Sequence, residues 1–165
     1  MVDIVENRFD ACVRLGEQVA KDMIAMRIGA DTRMVVVGAP SYFAQHSVPL
    51  MPQELTDHRC INLRLPTLGD LYVWELEKVK QKLNVCVEGQ LVLNNMKQIV
   101  DAAIAGLGLA TMLEDVVAPC VADGRLVQVL DDWCPTFPGY HLYYPSRRQP
   151  PPAFGLVLDA LRYVR

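Results

Sequence analysis

The chain has 165 residues, of which 52% are hydrophobic and 21% charged, and its net charge is −3. A chain of this length can bury roughly 70% of its unfolded surface, so it needs neither disulfides nor metals to staple it. The acidic balance disfavours a chain that binds nucleic acid on its own, because such domains carry a basic face; the one dense basic spot is Arg147-Arg148.

The opening MVDIVENRFD has no basic segment followed by an apolar core, so it does not read as a signal peptide. No apolar run reaches the roughly 18 residues of a membrane helix, and the expected location is cytoplasmic. Val2, Val5 and Phe9 recur at three- and four-residue spacing, which predicts a turn or two of helix over residues 2–9. Strands follow over residues 11–15, 23–28 and 33–37. Residues 41–46 read as helix, and Pro52 suits the first turn of another short helix over 51–55. A strand is expected over 60–65. Residues 72–76 and 83–87 alternate like a hairpin whose arms are joined by the charged stretch 77–82. Residues 90–93 continue extended, and Asn94-Asn95 caps a helix that runs to about residue 105, with Met96, Ile99, Val100 and Ala103 on one face. Gly106 and Gly108 stop that helix. A buried strand over 109–112, a helix over 114–122 and a strand over 126–130 come next. After a turn-rich linker at 135–139, a strand over 141–144, a loop over 145–152 and a closing helix over 152–163 end the chain.

Strands thus alternate with helices, which argues for α/β lobes. The expected division places residues 1–38 and 135–165 in a first subdomain with crossover strands, and 39–134 in a second. Lobes joined by crossovers close on small molecules and need no catalytic residue. Cys12, Cys60, Cys86, Cys120 and Cys134 are odd in number, widely spaced and without a CxxC, as expected of reduced thiols. His58 and Cys60 lie two apart, but no second ligand pair follows, so no metal and no cofactor are expected. There is no GxSxG, HExxH or P-loop, and His46, His58 and His141 are scattered, so the chain does not read as an enzyme.

Six segments in order carry a family resemblance: FDACVRLGE at 9–17, RMVVVGAPSYFAQH at 33–46, LTDHRCINLR at 55–64, AGLGLA at 105–110, LVQVLDDW at 126–133 and GYHLYYPSRRQPPPAF at 139–154. Together they make the chain resemble the C-terminal effector-binding domain of LysR-type transcriptional regulators. The resemblance implies a periplasmic-binding-protein-like (type 2) fold, two α/β lobes around a cleft, and a small effector such as an organic acid or aromatic metabolite. It also implies a dimer or larger oligomer on DNA. This sequence carries no helix-turn-helix and no strand–helix–strand unit ahead of residue 9, so the first lobe is expected to be truncated and the chain itself not to touch DNA.

Within that frame, Arg14 ends a strand beside Gly16, where ligands gather in open α/β sheets and a guanidinium can hold a carboxylate bidentately. Arg64 ends a strand of the other lobe, with Asn62 as a weaker companion. Asn94 and Asn95 open a helix whose free N–H groups suit an anion. Tyr143 is expected near the crossover, placed to stack on an aromatic effector. The function expected is a non-enzymatic sensor closing on a small anion. The alternative is an interaction protein that oligomerises with itself or with a full-length homologous regulator without sensing a ligand.

Overall fold

A computed structural model describes residues 9–16, 23–65, 69–145 and 152–164. The helix expected over 2–9 and most of the loop over 145–152 lie outside them. The chain separates into two compact units, Met1–Thr32 with Thr136–Arg165, and Arg33–Pro135. It therefore passes from the first unit to the second once and returns once. The expected division had residues 33–38 in the first unit. They belong to the second because Val35, Val36 and Val37 are fully buried in its core.

The first unit holds β1 (Cys12–Leu15) and β2 (Met23–Arg27). The second follows with β3 (Thr32–Gly38), α1 (Pro40–Phe43), a 3-10 helix (Pro52–Asp57), β4 (Ile61–Leu63), β5 (Trp74–Lys78), β6 (Gln81–Val85), β7 (Leu91–Leu93), α2 (Met96–Ile104), β8 (Ala110–Leu113), α3 (Glu114–Ala122), β9 (Val127–Val129) and a 3-10 turn (Asp131–Trp133). The return brings β10 (Thr136–Phe137), β11 (Tyr140–Pro145) and α4 (Pro152–Leu161).

In the first unit β11 lies between β1 and β2, antiparallel to both, so that Leu142 stands opposite Val13 on one side and Met26 on the other. One face of the sheet meets α4, where the Tyr144 and Phe154 rings pack edge to face at 5.4 Å. The chain beyond α4 is tied back to β2: the Tyr163 N–H donates to the Arg27 carbonyl, and the Arg27 guanidinium lies over the Tyr163 ring.

In the second unit β3 pairs antiparallel with β8 and β9. β4 and β7 run parallel, and the Ile61 N–H bonds the Leu109 carbonyl at the entry to β8. Strands buried on both faces need continuous apolar runs, and MVVV of β3 and ATML of β8 supply them. α2 covers β4, β7 and β8, burying Ile99, Val100 and Ala103. Two glycines permit the tight backbone contacts. A Cβ on Gly89 would sit 1.7 Å from the Cys60 carbonyl oxygen, and one on Gly108 would sit 2.5 Å from that of Arg59. At the start of β3, Arg33 donates to Glu114 and to Asp131, each at 2.7 Å, joining β3 to α3 and to the turn before the return.

Two elements differ from expectation. The hairpin arms lie two residues nearer the turn than expected, and their connection is only Val79-Lys80, both at positive φ (48° and 67°). A two-residue turn of this hand matches the twist of the strands and is usually signalled by Asn-Gly, which is absent here. α1 ends at Phe43 instead of reaching residue 46. Its last N–H groups close as turns, and Val48 before Pro49 must be extended.

Replacing Gly89 by Ala should lower unfolding stability by about 1–3 kcal/mol or more, the usual cost of overpacking. Urea denaturation would show this as a lower midpoint at unchanged slope. The Arg33 hydrogen bond holds the Glu114 carboxyl below its ordinary value of 4.5. Its contribution is thus present above the unfolded value and lost as pH falls through the lower folded one. Glu114→Gln should flatten the acid-side loss of stability in pH-dependent melts.

Candidate functional site

The sequence-predicted residues gather at two places, one on each unit. In the first, β1 alternates so that Cys12 and Arg14 are half-buried while Val13 and Leu15 are exposed, and Arg14 stands opposite His141 of β11. Gly16 ends the strand at φ +77°, a conformation that favours glycine, and its N–H is shared by the carbonyls of Pro138 and Gly139. The Tyr143 hydroxyl donates to the Gly16 carbonyl. Tyr143 is only 2% exposed, so its ring offers no face for a stacked aromatic. The role expected for it is corrected: it braces the turn beside Arg14.

In the second unit, Arg64 lies just past β4 and Asn94-Asn95 just past β7. Because the two strands are parallel and in register, their C-terminal ends coincide. The Arg64 N–H donates to the Leu93 carbonyl at 2.7 Å, and its exposed guanidinium donates to the Gly69 carbonyl at 2.5 Å. The Asn95 carboxamide oxygen accepts from the Gln98 N–H, capping α2. No acidic residue stands in the first turn of α2, so the positive end of the helix is uncompensated there. Asn94 is exposed beside it.

Sequence reasoning missed a pocket of about 610 Å³ at the opposite, N-terminal ends of β4 and β7. Its walls include His46, His58, Arg59, Asn62, Glu88 and Gln90. Asn62, expected as a companion of Arg64, is 3% exposed and faces this pocket. Behind it the Tyr42 hydroxyl accepts the Arg59 N–H at 3.0 Å and meets His58 Nδ1 at 3.1 Å. The Tyr42 hydroxyl thus ties the His58 ring to the Arg59 backbone. His46 stacks flat on Tyr42 at 4.2 Å and donates from Nδ1 to the Tyr42 carbonyl. Burial, aided by His46, lowers the His58 pKa against the opposing pull of Asp57 and Glu54, so the imidazole is held neutral. No spacing in the sequence announces this pocket, because parallel pairing brings residues 58–62 beside 88–92.

A family model described as the LysR substrate binding domain matches residues 1–165. The chain belongs to the LysR substrate-binding domain family. It is 56% identical over 163 residues to a putative transcriptional regulator of Pseudomonas aeruginosa, covering 99% of this chain and 53% of that protein. It is 48% identical to the HTH-type transcriptional regulator PgrR of Escherichia coli, covering 99% and 54%. The chain thus spans about half the length of these curated relatives, which are transcriptional regulators and not enzymes. Among solved structures, the regulatory domain of AphB in Vibrio vulnificus superposes with a TM-score of 0.80 at 25% identity, over 97% of this chain and 76% of that one. This LysR substrate-binding domain therefore has the mixed α/β, periplasmic-binding-protein-like type 2 fold. Among its described residues no helix is long and apolar enough to cross a membrane, and no three His, Cys, Asp or Glu side chains cluster as metal ligands. The five cysteines are free thiols; Cys60, Cys120 and Cys134 are buried, and burial pushes Cys60 up to about 12.

Because the unfolded state takes up the His58 proton first, stability should rise with pH through the window just below the ordinary histidine value of 6.5. Proton NMR should place the His58 midpoint below that value. Tyr42→Phe should move it and cost about 1–3 kcal/mol, since the buried Arg59 N–H and His58 Nδ1 lose their partner.

Proposed function

We propose that this LysR substrate-binding domain senses a small anionic effector, an organic acid or an acidic aromatic metabolite, held between its two units. The observation that carries this reading is the meeting of Arg64, Asn94 and Asn95 at the coincident C-terminal ends of β4 and β7, beside a helix start that bears no acid. In open α/β sheets that end of the strands is where ligands collect, and a helix N-terminus with a neighbouring guanidinium suits a carboxylate. Arg14 at the end of β1 is a further candidate contact, on a turn held by Gly16 and Tyr143. Closure of the lobes on the ligand, the mode that the family resemblance implies, is the population shift that serves as the signal. In a whole regulator the signal would pass to a DNA-binding part and to oligomer geometry.

Thermal unfolding of the purified chain against small organic acids, aromatics, amino acids and sugars tests the reading. A specific acid at about 100 times its dissociation constant should add roughly 2.7 kcal/mol, and Arg64→Ala should remove most of that gain. A cooperative melt that no acid moves, from a chain that is a tight dimer, would count against sensing. It would favour oligomerisation with another copy or with a full-length regulator.

A further inference from the structure

The pocket at the N-terminal ends of β4 and β7 is separate from the proposed effector site. The pocket extends along the pair from the N-terminal ends as far as Leu71, which forms a β-bridge with Arg64, but Arg64, Asn94 and Asn95 are not part of its lining. We propose that this pocket binds a small α-amino acid with an apolar side chain, as a second ligand of the domain.

Its polar lining carries both signs of charge. Arg59 is cationic, while Asp57 and Glu88 are anionic, and all three are exposed at the rim. A simple carboxylate would meet the two acids, and a simple amine would meet the arginine. A zwitterion satisfies both, its carboxylate toward Arg59 and its ammonium toward Asp57 or Glu88. The floor is already oriented. Tyr42 holds the His58 ring through Nδ1, which leaves Nε2 as the ring nitrogen without a partner, among the described residues, on the pocket floor. Asn62 is 3% exposed, and its carboxamide makes no hydrogen bond among the described residues. Among the described residues no side-chain nitrogen or oxygen is fully buried without a partner, so that carboxamide must reach the open pocket. A buried amide left without a partner costs free energy that a ligand carboxylate or ammonium would recover. Leu71, Val87 and Val92 form an apolar wall for the side chain, and about 610 Å³ is ample for one amino acid.

Titration of the isotope-labelled chain with L-leucine, L-valine and L-methionine, followed by amide NMR shifts, tests this directly. Saturable shifts should centre on residues 57–62 and 88–92. N-acetyl-L-leucine and L-leucinamide, each lacking one charge, should bind at least about tenfold more weakly, a loss of about 1.4 kcal/mol. Asn62→Leu should weaken L-leucine similarly, as should Glu88→Gln at the exposed rim, which leaves the core untouched. Asn94→Ala, outside the lining, should leave it unchanged, which separates this site from the proposed effector site. The proposal is overturned if none of the three amino acids gives saturable shifts up to about 10 mM, a limit of about −2.7 kcal/mol. It is equally overturned if the shifts centre on Arg64 and Asn94, or if N-acetyl-L-leucine binds as well as L-leucine.

Discussion

The first unit depends on a strand that arrives last. β11 enters only after the chain has built the whole second unit, and it supplies the hydrogen bonds that both β1 and β2 need. Without it those two short strands would not be neighbours, and an isolated pair is marginal at best in water. The same insertion sets the local chemistry. His141 of β11 stands between Arg14 and Arg27, and Tyr143 reaches from the central strand to the carbonyl of Gly16. The arginine proposed to touch an effector is therefore held by residues more than a hundred positions downstream.

The second unit is organised by β3 and by the parallel pair beside it. Three consecutive buried valines place β3 in the core, and Arg33 at its start binds Glu114 and Asp131. Both acids are substantially exposed, so solvent discounts the energy of these pairs and their value is mainly in fixing where β3 begins. The parallel register of β4 and β7 then makes two different chemical ends from one small element. Arg64, Asn94 and Asn95 meet at one end; His58, Arg59, Glu88 and Gln90 meet at the other. Gly89 permits this by letting the chain pass against the Cys60 carbonyl.

Much of the fold was legible because local signals agree with the tertiary result. The valine run of β3, Asn95 as the cap of α2 and the Asp123-Gly124 turn that ends α3 all follow from period, capping and turn chemistry. The turn at Val79-Lys80 was not legible, since neither residue type advertises positive φ. Tyr143 was placed by the family resemblance near the crossover, which does not say how deeply its ring is buried. Residue proximity at Arg64 and Asn94 was readable only through the family resemblance. The pocket at His58 and Asn62 was not readable at all, since it depends on the register between two strands far apart in sequence.

The central claim is that an anion draws the two units together. Cys86 is an exposed thiol on the second unit, and Asp159→Cys would place another on an exposed position of α4 in the first. Distances between spin labels on these two sites, measured by pulsed electron resonance with and without an acid that raises the melting temperature, test it most directly. The account predicts a shorter and narrower distribution when the acid is bound, and none of that change in Arg64→Ala. A distribution unmoved by saturating acid would contradict it.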